Sequence, residues 1–182
     1  SACAYYYALS GQITQIPVLF REHQLSTVNF LAPGKPMMEL IENQVYLAQQ
    51  EYAKVIGRSE GLLAVCEAMH YALVALHVQI QTAAAYECLG KRTEARNCLK
   101  CALQIALPDQ FYLPFVENYE YLEELLQREI QTADAAEHVF LTKVTELGKN
   151  CQKRYGALRK THMFPEIAAE LTEQEQRIIE LL

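Results

Sequence analysis

The chain contains no tryptophan, and only seven of its 182 residues are glycine and six are proline. So little glycine and proline, beside 51% apolar residues, excludes collagen-like and disordered chains. No apolar run approaches the roughly 18 to 20 residues that a membrane-spanning helix needs, so no membrane contact is expected. The alternating pattern of strands is also missing. The sequence therefore predicts a folded helical protein.

A strong positive charge is absent as well, because the formal net charge is −6. Nucleic-acid surfaces depend on clustered Lys and Arg, so a general nucleic-acid surface is not expected. The opening segment, SACAYYYALSGQ, has neither a charged n-region nor a long apolar run. It does not resemble a signal peptide, and we expect a cytoplasmic protein.

Patterns that indicate catalysis or metal binding are missing too. There is no Ser, His and Asp set, no evident carboxylate pair and no glycine-rich phosphate loop, so no catalytic residue and no enzymatic activity are predicted. We expect the six cysteines to be thiols. Cys98 and Cys101 form a C-x-x-C, but inside a helical run and without a second pair at zinc-ligand spacing. No metal site is predicted.

Apolar residues recur at three- and four-residue spacing almost throughout, which predicts helices. We place the longest helix at residues 133–159. Helix breakers divide the chain at five places: LAPGKP (31–36), IGRS (56–59), LGKR (89–92), LPDQ (107–110) and THMFP (161–165).

The sequence also repeats itself. Tyr52 falls on Tyr86 and Val65 on Leu99 when the chain is shifted by the period of a tetratricopeptide repeat, which is about 34 residues. In the second unit we expect Ala95 and Ala102 to be buried between helices. Gly90 permits the tight turn. We therefore predict an all-α fold, an α-solenoid of tetratricopeptide-like helix pairs forming a right-handed superhelix over residues 1–131. A long helix and linker follow at 132–170.

The segment ALQIALPDQFYLPFVENYEYLEELL, residues 102–126, resembles the end of the helical-repeat region of MalT-type regulators, a large ATP-dependent branch of the LuxR transcription-regulator family. Pro108, Phe111, Phe115 and Glu117 stand in matching places. The last twelve residues, LTEQEQRIIELL, are similar to the start of the LuxR-type helix-turn-helix domain, which we place at 171–182.

This resemblance implies a sensor segment that binds a small effector and controls assembly of a transcription activator. ATP is implied for the family as a whole, whereas no cofactor is expected in this segment. DNA would be bound through the family's C-terminal domain, whose scaffold and recognition helices have no counterpart in this chain. Self-association is left open. The alternative is a tetratricopeptide scaffold that binds a peptide or a partner protein.

The repeat alignment predicts where an effector would bind. Helix A of each unit lines the concave face of such solenoids, and a mixed aromatic and polar set there suits a polar metabolite. The predicted effector residues are Asn43, Tyr46, Gln50, Lys54, His77 and Glu87. The second choice is the aromatic cluster of Phe111, Tyr112, Tyr119 and Tyr121.

The charges of the last part of the chain change sign along the sequence. Residues 115–137 are mainly acidic, and residues 143–160 are mainly basic. One interpretation is a pair of solvated faces, worth at most about 1 kcal/mol per exposed ion pair. The other is that Lys149, Lys153 and Arg154 approach DNA phosphates or dock the DNA-binding domain.

Overall fold

The computed structural model describes residues 2–28 and 31–161, which contain helices and no strand. The helices are α1 (Ala2–Leu9), α2 (Val18–Arg21), α3 (Lys35–Ala48), α4 (Tyr52–Ala68), α5 (Ala72–Cys88), α6 (Arg92–Ala106), α7 (Leu113–Glu117), α8 (Tyr119–Ile130) and α9 (Ala135–Thr161). Short 3-10 turns lie at Ile13–Gln15, Leu25–Thr27 and Ala32–Gly34. No helix in the described ranges has the length and hydropathy to cross a bilayer. The predicted all-α class is confirmed.

Four successive helices end in the same type of turn. A residue shortly after each helix end has positive φ: Gln50 (62°), His70 (56°), Gly90 (72°) and Gln110 (57°). The next backbone N–H then donates to the carbonyl five positions earlier, as from Glu51 to Tyr46 at 2.8 Å. This is the hydrogen bond of a Schellman cap. The four residues with positive φ are evenly spaced along the chain.

This spacing corrects the predicted repeat. α4 begins at Tyr52 and its equivalent α6 begins at Arg92, so the interval between equivalent helices is longer than the tetratricopeptide period. Tyr52 is the first residue of α4, whereas Tyr86 lies in the last turn of α5, so the two are not equivalent. The predicted break at IGRS was wrong because positions 56–59 lie inside α4. The turns at Gln50 and His70 were missed because neither contains glycine.

The helices pack in two rows. One row contains α1, α3, α5 and the α7–α8 segment, and the other contains α4, α6 and α9, each of which contacts helices of the first row. Ala95 and Ala102 of α6 are fully buried, which confirms the prediction for both. Tyr86 of α5 is only partly buried against this core. The arrangement of a tetratricopeptide superhelix stays a prediction.

The long helix α9 begins slightly later than predicted, at Ala135. The Asp134 carboxylate accepts hydrogen bonds from the backbone N–H groups of Ala136 and Glu137, both at 2.9 Å, and so caps the helix. α9 contacts α7 and α8. Gly148 permits the contact with α8, since a Cβ there would lie 2.3 Å from Cγ of the buried Tyr119. The predicted linker end, from 162, and the helix-turn-helix segment at 171–182 lie outside the described residues.

Candidate functional site

The predicted effector residues fall into separate groups in the structure. Tyr46 and Asn43 lie on α3, but Gln50 forms the following turn and Lys54 lies on α4. His77 and Glu87 lie near opposite ends of α5. The assignment of Gln50 and Lys54 to a helix A face was wrong because it used the tetratricopeptide alignment. Effector binding at these residues stays a prediction.

The aromatic face of Tyr46 is already covered by protein groups. His23 stacks on its ring with the centroids 3.9 Å apart and the planes at 13°. Lys54 Nζ and Arg58 Cζ lie over the same ring, at 5.1 and 5.3 Å from its centroid. Burial raises the pKa of the Tyr46 hydroxyl, and the nearby Glu42 adds to that effect. The contacts make Tyr46 part of a cation–π and stacking cluster that stabilises the α3–α4 junction.

Glu42 holds this cluster together. Its buried carboxylate forms an ion pair with Arg58, and His23 Nδ1 lies 3.6 Å from its other oxygen. His23 Nε2 lies 2.7 Å from Gln49 Oε1, and Gln49 Nε2 donates to the Arg21 carbonyl at 3.1 Å. Sequence reasoning missed Glu42 and Arg58, because only the tertiary fold brings α2, α3 and α4 to one point.

Asn43 is fully buried, and neither atom of its side-chain amide has a hydrogen-bond partner among the described residues. An unpaired amide in the interior costs free energy, unless water supplies the missing partners. At Glu87, the carboxylate accepts a hydrogen bond from Arg128 at 2.6 Å, which links α5 to α8. Glu87 therefore has a structural partner.

Glu87 stands beside a second group of charges between α6 and α8. A hollow of about 360 Å³ is lined there by Arg92, Thr93, Arg96, Arg128, Glu129 and Thr132. Arg96 Nε donates to Glu129 at 2.8 Å, so two of the three arginines in this hollow are engaged in ion pairs. These pairs attach α6 and α5 to α8.

His77 belongs to a cluster that joins three distant parts of the chain. The Tyr5 hydroxyl of α1 donates to the Glu117 carboxylate of α7 at 2.8 Å and lies 3.4 Å from His77 Nδ1 of α5. Burial lowers the pKa of His77 to about 4, so its ring is neutral at pH 7. Burial also raises the pKa of Glu117, an effect that the Tyr5 hydrogen bond partly offsets.

A buried chain of amides lies deeper in the same row of helices. Gln44 Nε2 of α3 donates to Asn118 Oδ1 at 3.1 Å, and Gln81 Nε2 of α5 donates to Gln44 Oε1 at 2.9 Å. Asn118 Nδ2 donates to the Pro114 carbonyl at 3.0 Å. All three amide side chains are fully buried. The chain attaches the α7–α8 junction to α3 and α5, and sequence reasoning did not single out any of these residues.

Among the described residues, a cavity that could hold a ligand lies between α7, the loop before it and α9. Its volume is about 530 Å³, within the range of roughly 300 to 1,000 Å³ that is usual for small-molecule sites. The lining residues are Gln110, Phe111, Tyr112, Leu113, Val116, Leu147, Asn150, Cys151 and Arg154. We call this the α7–α9 cavity. Phe111 and Leu113 are 42% and 64% exposed, so the cavity presents apolar surface to solvent.

The walls of the α7–α9 cavity are held by the core. The Tyr112 ring stacks on Phe140 of α9 at 4.7 Å between centroids, and Phe140 meets Phe115 edge-on at 5.4 Å. On α9, positions 147, 150, 151 and 154 follow three- and four-residue steps and so lie on one face of the helix. Burial raises the pKa of the Cys151 thiol, Glu117 raises it further, and Arg154 lowers it.

The cavity gathers residues that the sequence analysis had placed in different sites. Phe111 and Tyr112 of the second-choice aromatic cluster line it, whereas Tyr119 is buried beside Gly148 and Tyr121 packs against the core. Arg154, from the predicted phosphate-docking group, also lines it. Lys149 and Lys153 are exposed, and no described contact tests a docking role for them. Leu147, Asn150 and Cys151 were missed.

Within the described ranges, no three His, Cys, Asp or Glu residues are grouped closely enough to hold a metal ion. The described cysteines are free thiols, Cys66 buried and Cys98 and Cys151 partly so. Burial raises the pKa of Cys98 to about 11, so this thiol of the C-x-x-C stays protonated at neutral pH.

Comparison with family models, with curated proteins and with solved structures finds no significant match.

Proposed function

We propose that this chain is the sensor segment of a LuxR-type transcription regulator of the MalT-like branch, and that a small effector binds in the α7–α9 cavity. The observation that carries this proposal is the position of the cavity. The lining positions 110–113 and 116 belong to the segment that resembles the end of the MalT-type repeat region. The other wall is α9, the helix that precedes the segment similar to a helix-turn-helix domain.

The geometry supports a link between binding and output. α9 contributes Leu147, Asn150, Cys151 and Arg154 to the cavity, so a ligand there would contact α9 directly. The opposite wall is fixed, because Asn118 and Glu117 attach the end of α7 to α3 and α1. A ligand that binds one arrangement of α9 better than another shifts the population toward that arrangement. The helix adjoining residues 162–182 would then report occupancy.

The alternative, a scaffold for a peptide or partner protein, would need an open face along the first row of helices. Tyr5 of α1 and Gln44 of α3 are in contact with Glu117 and Asn118, so the α7–α8 junction occupies part of the surface that α1 and α3 would offer to a partner. The volume of the cavity, about 530 Å³, and its aromatic lining suit a small molecule. The scaffold function stays a prediction that the same experiment addresses.

The test is isothermal titration of this chain against pools of small metabolites, followed by hydrogen exchange of α9 with any compound that binds. Leu113→Asp should abolish binding because it places a charge on the apolar wall. Leu73→Asp is the matched control, since Leu73 is 50% exposed on α5 and does not line the cavity. We expect the bound compound to slow exchange within residues 135–161 in the unaltered chain.

Two results would contradict the proposal. One is binding that Leu113→Asp and Leu73→Asp reduce equally, which would place the ligand elsewhere. The other is a defined protein partner that is held by the chain, survives Leu113→Asp and is accompanied by no small-molecule binding. That second outcome would establish the scaffold function.

A further inference from the structure

We infer that the ligand of the α7–α9 cavity is an amphipathic acid: an apolar, ring-bearing body with one carboxylate or sulfonate that pairs with Arg154. This inference rests on the proposed function, because it names the chemical class of the effector. It differs from the polar metabolite expected for the residues around Tyr46. It is carried by the composition of the cavity wall and by the charge of Arg154, which has no ion-pair partner among the described residues.

The body of the ligand follows from the apolar side of the cavity. Phe111, Leu113, Val116 and Leu147 supply side chains without hydrogen-bonding groups, and Tyr112 adds a ring held by Phe140. Removing the exposed surface of Phe111 and Leu113 from water favours binding of an apolar group in proportion to the area buried. A sugar or another polyhydroxyl compound would lose hydrogen bonds to water against this wall without replacing them.

The acid group follows from the other side. Arg154 lines the cavity, is exposed, and forms no ion pair with any carboxylate of the described residues. By contrast, Arg58, Arg96 and Arg128 each have a Glu partner. A guanidinium binds a carboxylate or sulfonate through two parallel N–H donors. Asn150, one turn before Arg154, provides a further amide donor beside it.

Glu117 is an acidic residue near this wall, and no ion pair joins it to Arg154 among the described residues. Glu117 influences Cys151, so it stands near this wall, but its carboxylate already accepts the Tyr5 hydroxyl. Burial raises the pKa of Glu117, and the Tyr5 hydrogen bond partly offsets this rise. The cationic group therefore faces the cavity with its donors available to a bound acid.

The experiment uses two fluorescent probes with the same ring system. The first, 8-anilinonaphthalene-1-sulfonate, has an apolar body and one anionic group; the second, N-phenyl-1-naphthylamine, lacks the sulfonate. We expect the intact chain to bind the sulfonate about tenfold more tightly, because a charge-assisted hydrogen bond contributes about that factor. Arg154→Gln should remove this difference and leave the affinity of the neutral probe within about twofold.

Matched variants locate the effect. Lys153→Gln removes the same charge from the neighbouring exposed position, which does not line the cavity, and should leave both affinities unchanged. Arg154→Lys keeps the charge and should retain most of the preference for the sulfonate. Leu113→Ser should weaken both probes. Circular dichroism melting of each variant establishes that the fold is kept, as expected for substitutions of exposed side chains.

The inference is overturned if the two probes bind equally well, if Lys153→Gln and Arg154→Gln reduce sulfonate binding to the same extent, or if neither probe binds. Failure of the proposed function would look different. The charge-dependent binding would persist, but no bound acid would alter hydrogen exchange in α9. The two ideas therefore fail separately.

Discussion

Gly148→Ala tests the contact that positions α9. A glycine inside a helix normally costs about 1 kcal/mol relative to alanine, so this substitution should stabilise an isolated helix. In the structure, however, the new Cβ would lie 2.3 Å from Cγ and 2.4 Å from Cδ2 of Tyr119. Tyr119 is 1% exposed and cannot turn its ring into solvent. The overlap forces α8 and α9 apart.

Overpacking of a closed core costs roughly 1 to 3 kcal/mol, and an overlap with ring atoms that cannot move away belongs at the upper end. After the gain in helix propensity, we expect a net loss of about 2 kcal/mol. For a chain of this length that corresponds to a melting temperature lower by roughly 4 to 8 °C. The assay is urea and thermal unfolding followed by circular dichroism.

Glycines of α4 provide the control. A Cβ at Gly57 or Gly61 would meet nothing within 4 Å, so Gly57→Ala and Gly61→Ala should each stabilise the chain by about 0.5 to 1 kcal/mol. In a Tyr119→Ala background, Gly148→Ala should lose much of its cost, because Cγ and Cδ2, the two atoms nearest the new Cβ, are then absent. If Gly148→Ala stabilises the chain as the α4 variants do, the packing of α9 on α8 described above is incorrect.

Three further predictions concern the turns, the buried amides and His77. Gln50→Gly and His70→Gly should each stabilise the chain by about 0.5 to 1 kcal/mol in urea unfolding, because both residues have positive φ, which glycine adopts without strain. Gly90 also has positive φ, so Gly90→Ala should destabilise the chain by about 1 to 2 kcal/mol. Asn118→Ala should lower the free energy of unfolding by about 2 to 3 kcal/mol, because it leaves the buried Gln44 amide without its partner. The control is Asn97→Ala at an exposed position, which should change stability by less than about 0.5 kcal/mol. Equal effects of the two substitutions would show that the amide chain does not stabilise the fold. The pKa of His77 is about 4 in the folded chain, below the value of 6.5 for the unfolded chain. The contribution of the neutral His77 ring to the free energy of unfolding is therefore fully present above pH 6.5, and it decreases by at most about 3 kcal/mol as the pH falls toward 4. His77→Gln should flatten the pH dependence of the unfolding free energy between pH 4 and 6.5. The raised pKa of Glu117 acts in the opposite direction, but it does so in the variant as well as in the unaltered chain. An unchanged slope would contradict the lowered pKa of His77.

Local sequence determined the helical class, the long last helix and the buried small residues of α6. These features depend on periodicity, capping and side-chain size within one helix, which a sequence displays directly. Ala95 and Ala102 stand about two turns apart on one face, and both are buried as expected. Gly90 marked its turn because glycine adopts positive φ without strain.

Tertiary structure alone decided the register of the helices and the composition of the cavity. Gln50 and His70 adopt positive φ where packing of the neighbouring helices ends α3 and α4. Glutamine and histidine have no strong preference for positive φ, so the local sequence does not predict these two turns. Tyr46 contacts His23, Lys54 and Arg58 because α2 and α4 converge on α3. The ring that was expected to face a ligand is therefore covered by protein side chains. Arg154 lines the same cavity as Phe111 and Leu113 because α9 packs against α7. Residues so far apart in sequence come together only through the packing of whole helices.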